Sequence, residues 1–82
     1  MLDIRKCREL REKHPGMLCL FGDGDSYESY NKDAIKVGKI CNLSVVVRDG
    51  VRVCRFAMHM VDKYLPLMVD AGEKIAIFDG VE

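Results

Sequence analysis

Asp49-Gly50 stands between a β-branched apolar run, residues 43–47, and an alternating segment, residues 51–56, and no other short segment restricts the fold so tightly. Both residue types tolerate the left-handed backbone that a two-residue type I′ turn requires, and that turn matches the twist of antiparallel strands. The pattern predicts a hairpin whose second strand sets Val51, Val53 and Arg55 against Arg52, Cys54 and Phe56. Upstream, residues 17–21 (MLCLF) form an apolar run of five, bounded by Pro15-Gly16 and Gly22. Such a run is too short for a helix and suits a strand covered on both faces, so it is expected to be the central strand.

Helical spacing accounts for the rest. Ile4, Cys7 and Leu10 recur among charged residues over 2–13, and Pro15-Gly16 end that helix. Ala34, Val37, Gly38 and Cys41 form a small apolar stripe after Asn31, a good N-cap. Gly38 costs about 1 kcal/mol of helix propensity relative to Ala, which close packing on a sheet would explain. A third helix is expected from about His59 to Ala71, with Val61, Tyr64, Leu65, Met68 and Val69 on one stripe, Gly72 at its stop and Pro66 kinking or breaking it. Residues 74–78 (KIAIF) read as a last strand. The order α-β-β-α-β-β-α-β predicts one small mixed α/β (α+β) domain over residues 1–82, with a mixed β-sheet and about three helices.

Between the first strand and the second helix lies the most unusual stretch, residues 22–30 (GDGDSYESY). Gly22 to Asp25 reads as a turn. Strand periodicity then puts Ser26, Glu28 and Tyr30 on one face and Tyr27 and Ser29 on the other.

Net charge is zero, with 13 basic and 13 acidic residues, yet the distribution is uneven. Residues 36–55 carry Lys36, Lys39, Arg48, Arg52 and Arg55 against Asp49 alone, a local basic patch or the solvated faces of helix and strands. No apolar run approaches the roughly 18 residues of a membrane span and the N-terminus is amphipathic rather than signal-like, so a cytoplasmic location and no membrane partner are expected. Cys7, Cys19, Cys41 and Cys54 include no CxxC pair, and read as buried thiols rather than metal ligands.

Catalytic chemistry finds no support. Asp23, Asp25 and Glu28 suggest the opening of a calcium loop, but the pattern fails at Tyr27 and lacks its distal glutamate, so no metal is expected. No G-x-x-x-x-G-K-[ST] loop is present. His14 and His59 belong to no nucleophile-base arrangement, and burial of Cys19 would suppress its reactivity. The expectation is a protein that is not an enzyme, with no cofactor and no small-molecule substrate.

Taken in order, LCLFGDGDSYESYNKDAIKVGKI, NLSVVVR and HMVDKYLPLMVDAGEKIAIFDGVE resemble the N-terminal, mismatch-reading domain of MutS-type DNA mismatch repair proteins over roughly residues 10–82. Gly24, Asp25, Ser26, Tyr27 and Glu28 match that family's Gly-Asp-Phe-Tyr-Glu. Asp33-Ala34, Arg48, His59 and the strand from Ile75 to Phe78 match later landmarks. The resemblance implies the MutS N-terminal fold and a minor-groove role in which the Phe stacks beside a mispaired base while the Glu hydrogen-bonds to it. Here Ser26 holds the Phe position, and Arg55, Phe56 and Ala57 replace a Gly-Ile/Val-Pro run near the duplex. Tyr30 aligns with an aromatic expected in the core.

A serine has no π-face, and base–aromatic stacking is worth about 1–3 kcal/mol per base. The family also relies on clamp, lever and ATPase domains, for which 82 residues leave no room, so full mismatch repair by this chain alone is excluded. Two readings stand side by side. One is a stand-alone module that binds double-stranded DNA weakly, with Lys36, Lys39, Arg48, Arg52 and Arg55 on phosphates and Ser26 and Glu28 near the groove. The other is an interaction module that has lost DNA recognition and pairs with a protein partner or a second copy through a strand edge or the aromatic stretch.

Overall fold

Asp49 and Gly50 both adopt left-handed backbone (φ 52 and 78), as a type I′ turn demands. In this computed structural model, which describes residues 2–81, the chain runs α1 (Ile4–Glu12), β1 (Leu18–Asp23), β2 (Ser26–Tyr30), α2 (Asn31–Cys41), β3 (Val46–Arg48), β4 (Val51–Ala57), a 3-10 turn (Met58–Met60), α3 (Val61–Asp70) and β5 (Ile75–Phe78). Met1 and Glu82, the ends of the expected 1–82 domain, lie outside the described residues. The fold is the mixed α+β arrangement that the sequence pattern predicts, with three helices and a five-stranded sheet in the order β3-β4-β2-β1-β5. All neighbours are antiparallel except β1 and β5.

Each face of the sheet has its own core. Leu18, Leu20, Cys54 and Phe56 pack with Ala34, Val37 and Cys41 of α2 and Met68 of α3. On the other face Cys19, Phe21, Tyr30 and Val53 pack with Cys7 of α1. The apolar run of β1 is therefore covered on both sides, as its composition requires. All four cysteines are free and buried, and desolvation pushes the Cys7 and Cys54 thiols up to about 11.

Several expectations are corrected. The central strand is β2, not the apolar β1. An unbroken apolar run reports coverage on both faces, which any inner strand has, and says nothing of lateral position. The turn after β1 tightens to Gly24-Asp25, because Gly22 and Asp23 continue the strand to the Asp23–Ser26 pair. Tyr30, rather than Asn31, is the N-cap of α2; Asn31 opens the helix with φ 55, so the chain passes from strand to helix without a linker.

β3 begins at Val46 rather than Leu43. Leu43 N–H donates to the Gly38 carbonyl (2.9 Å) past left-handed Asn42, closing α2 and leaving the segment unavailable to the sheet. For the same reason Gly38 faces this loop rather than the sheet: a Cβ there would lie 2.7 Å from Val45 Cγ2 and 3.0 Å from the Leu43 carbonyl oxygen. α3 starts at Val61 behind the 3-10 turn and continues through Pro66, since the buried Met68 and half-buried Leu65 hold its second half to the core. Val69 is 55% exposed, because it stands about 100° around the helix from Met68. Among the described residues, no helix is long and apolar enough to cross a membrane.

Long-range polar contacts complete the frame. Asp33, buried at the start of α2, accepts both Arg11 Nε (2.9 Å) and Arg11 Nη2 (3.1 Å), and also the Cys19 N–H. That carboxylate ties α1, β1 and α2 together.

Gly38→Ala should lower stability despite the better helix propensity, because overpacking against backbone costs about 1–3 kcal/mol. A thermal melt should show Tm several degrees lower, at about 4–8 °C per kcal/mol for a domain of this size. Adding Val45→Ala should recover part of the loss, since the Leu43 carbonyl remains in the way. A raised Tm for Gly38→Ala would refute the close approach.

Candidate nucleic-acid interface

β2 carries the residues singled out in the sequence, and its alternation holds. Tyr27 faces α2 and α3, with its ring 5.9 Å from Phe56, and Ser29 Oγ donates to the Cys54 carbonyl on the same side. Ser26, Glu28 and Tyr30 face α1. Tyr30 is buried against Phe21, which stacks in turn on Phe78, so this aromatic belongs to the core.

Glu28 is 0% exposed. A lone carboxylate in that position would cost several kcal/mol, so its partners decide whether the strand can exist. Arg48 donates from Nη2 to Oε1 (2.8 Å) and from Nη1 to Oε2 (3.0 Å). Arg55, its direct cross-strand neighbour, donates from Nη1 to Oε2 (3.0 Å), and the Tyr30 hydroxyl donates to Oε1 (2.8 Å). A carboxylate offers about four lone-pair sites, and these four donors fill them. The Arg48 bonds lead in holding the Glu28 carboxyl down to about 2, against the opposing effect of burial and with help from Tyr30 and Arg55. Burial, reinforced by Glu28, lifts the Tyr30 phenol above its ordinary range, while the bond to Glu28 raises Arg48.

The arginines are the exposed members of this cluster, each side chain 48% accessible above the buried acid. Asp23 stands 3.7 Å from Arg55 Nη1. A surface cavity of about 330 Å³ opens over them, walled by Leu2 and Ile4 and bordered by Asp23 and Asp49. Half-buried Ser26 pairs with Ala57 at one end of the same face, where Met58 N–H donates to the Asp25 carbonyl (2.7 Å) and joins the 3-10 turn to the β1–β2 hairpin.

The five cations do not form one patch. Arg48 and Arg55 lie on the α1 side of the sheet over Glu28. Lys36 lies on α2, in the opposite layer, bonded to Glu73 (3.3 Å). Lys39 is exposed on the same helix, and Arg52 is exposed opposite Val47 on the α2 face of β4. Sequence reasoning grouped them by charge along the chain and missed the buried acid beneath two of them. The signal was present in the alternation: Arg55 shares a face with Val51 and Val53, where a cation needs an acidic partner. His14 packs edge-on against Phe78 with Nδ1 2.8 Å from the Leu10 carbonyl, a core-lining arrangement. Among the described residues, no group of three or more His, Cys, Asp or Glu side chains is placed to hold a metal ion.

Comparison with known proteins gives a match to the MutS domain I family model over residues 4–82. The DNA mismatch repair protein MutS of Phocaeicola vulgatus is 39% identical over 79 residues, covering 90% of this chain and 9% of the relative. Those of Porphyromonas gingivalis and Fervidobacterium nodosum are 34% and 35% identical, each covering 96% of this chain and 9% and 10% of the relative. The chain thus spans about a tenth of the length of the curated relatives it matches.

The Glu28 cluster predicts an acid-sensitive fold. Its folded pKa is depressed to about 2 from an ordinary 4.5. The stabilisation is therefore complete above pH 4.5 and is lost as pH falls through 2. At pH 7, Glu28→Gln should be less stable than wild type by on the order of 3 kcal/mol, the cost of breaking a buried pair. Denaturant melts should show that gap narrowing between pH 4.5 and 2. A gap of equal size at pH 7 and pH 2 would rule out the ionised carboxylate as its source.

Proposed function

The chain belongs to the MutS domain I family, and from that premise we propose that this domain by itself binds duplex DNA weakly through backbone phosphates, without base-stacking discrimination and without hydrolysing ATP. The observation that carries this reading is the state of the two positions the family pattern assigns to base recognition. Ser26 presents no ring to stack on a base, and Glu28 lies buried with its acceptor sites filled. What remains at the surface above them is a pair of half-exposed guanidiniums.

Cations on phosphates give affinity without sequence information. The weakness of the binding follows from the neutral net charge and from the ties of Arg48, Arg55 and Lys36 to acids. Lys39 and Arg52 add charge from the other side of the sheet. The absence of a nucleotide-binding loop from the sequence supports a non-enzymatic role, and contact with cellular DNA favours the cytoplasm. Repair of a mismatch would need machinery beyond this domain.

A second reading rests on the edge of the sheet. Val46 and Val47 of β3 are 56% and 70% exposed, on a strand that among the described residues pairs only with β4. Such an edge suits strand addition by a protein partner or a second copy. A strict monomer across a concentration series, with no co-purifying protein, counts against it.

Fluorescence anisotropy with matched and mismatched duplexes at two salt concentrations tests the main proposal. Expected are dissociation constants of about 10⁻⁴–10⁻⁶ M, near-equal for the two duplexes, and about tenfold weaker at 200 than at 50 mM salt if two phosphates are engaged. Ser26→Phe should introduce a preference for the mismatched duplex of about fivefold or more, the value of one stacked base. Binding that ignores salt, or none at these concentrations, rejects the proposal.

A further inference from the structure

Arg48 and Arg55 come from different strands yet meet on one carboxylate that solvent does not reach. A surface arginine ordinarily samples many rotamers, and binding an anion requires that freedom to be given up. Here it is already restricted. Glu28 takes both terminal nitrogens of Arg48 and one of Arg55, and its own Oε1 is fixed by the Tyr30 hydroxyl, itself held in the aromatic core. Among the described residues, Nε of both arginines and Nη2 of Arg55 bond to nothing. A guanidinium carries five N–H groups, so each retains donors directed away from the buried acid.

Charge alone makes this a poor anion site. Asp23, Glu28 and Asp49 border the same cavity as the two arginines, three carboxylates against two cations. What distinguishes the cluster is depth: Glu28 is beneath at 0% exposure and Asp23 is 28% exposed, whereas each arginine side chain is 48% exposed, with exposed Asp49 at the rim. Planar, fixed forks suit the oxygens of a phosphodiester, which accept two parallel N–H bonds from one arginine.

We propose that Glu28 is a positioning residue, which holds Arg48 and Arg55 as a paired fork for a backbone phosphate of duplex DNA. This rests on the duplex-binding reading above and assigns the binding to one face of the sheet. It also inverts the role that the family pattern gives Glu28, since the carboxylate acts through the arginines and touches no base.

The sign of one substitution separates positioning from plain electrostatics. Glu28→Gln removes a negative charge, and Coulomb attraction alone would then tighten DNA binding. Positioning predicts that it weakens. Arg55→Lys and Arg48→Lys keep the charge and can still pair with Glu28, but lose the fork. Each should weaken binding about five- to tenfold in anisotropy titrations, with a salt slope close to that of wild type because the charge is kept. Tyr30→Phe, which alters neither charge nor arginine, should weaken binding about twofold by loosening Glu28.

Thermal melts identify which variants are folded at the assay temperature. Should Glu28→Gln unfold, the lysine variants and Tyr30→Phe decide the matter. Lysine variants that bind within twofold of wild type, or a folded Glu28→Gln that binds more tightly, overturn the positioning role and leave duplex binding by diffuse charge standing. A wild-type protein that binds no duplex overturns both.

Discussion

A carboxylate sealed inside the central strand is the constraint on which the rest of the sheet depends. Glu28 sits on β2 with β4 and β3 to one side and β1 and β5 to the other. It is tolerable there only because Arg55 reaches it from β4, Arg48 from β3 and Tyr30 from its own strand. The short edge strand β3 buries little apolar surface, with all three of its residues exposed. Its attachment therefore combines the turn chemistry of Asp49-Gly50 with the charge-assisted bonds of Arg48, which lies next to that turn. Asp33 does for the helices what Glu28 does for the strands, drawing Arg11 of α1 and the backbone of β1 to the start of α2. Two buried acids, Glu28 with two arginines and Asp33 with one, thus link elements that are distant in the sequence.

The local rules carried the element order and the buried stripe of α2 because those depend on residues a few positions apart. The hairpin is legible in Asp49-Gly50, and Ala34, Val37, Gly38 and Cys41 are all buried at the spacing that predicts it. Lateral order within the sheet is different. β1 has the composition of a central strand and β2, written SYESY, does not, yet β2 is central. Apart from Tyr30, the partners of its polar side chains lie 20 to 27 residues away, at Arg48, Cys54 and Arg55; the alternation of β4 places Arg55 on an apolar face but does not say which acid it meets. Gly38 was legible as a site of close approach, while the partner, a loop rather than a sheet, depended on how Asn42 and Leu43 close the helix.

The candidate site was legible by residue type and hidden in arrangement. Counting charge along residues 36–55 finds five cations, but the sheet separates Arg48 and Arg55 from Lys36, Lys39 and Arg52. Proximity in sequence is a poor guide here because β-strand neighbours alternate faces, so Arg52 and Arg55 point to opposite layers.

The two departures from the family pattern act on one patch of this face. Ser26 and Glu28 pair with Ala57 and Arg55 across the same two strands, so the positions at which this chain departs from the motif it resembles are neighbours. A glycine at position 55, as in the family pattern, would supply no donor to Oε2. With arginine there, the last acceptor site of Glu28 is filled from within the protein. For that carboxylate to accept a bond from a base, it would first have to release an arginine or the Tyr30 hydroxyl, and the vacated donor would need water or phosphate in its place. Removing the ring and occupying the acid are therefore coherent changes. On the duplex-binding proposal, the bonds that occupy Glu28 are the same ones that hold Arg48 and Arg55 above it.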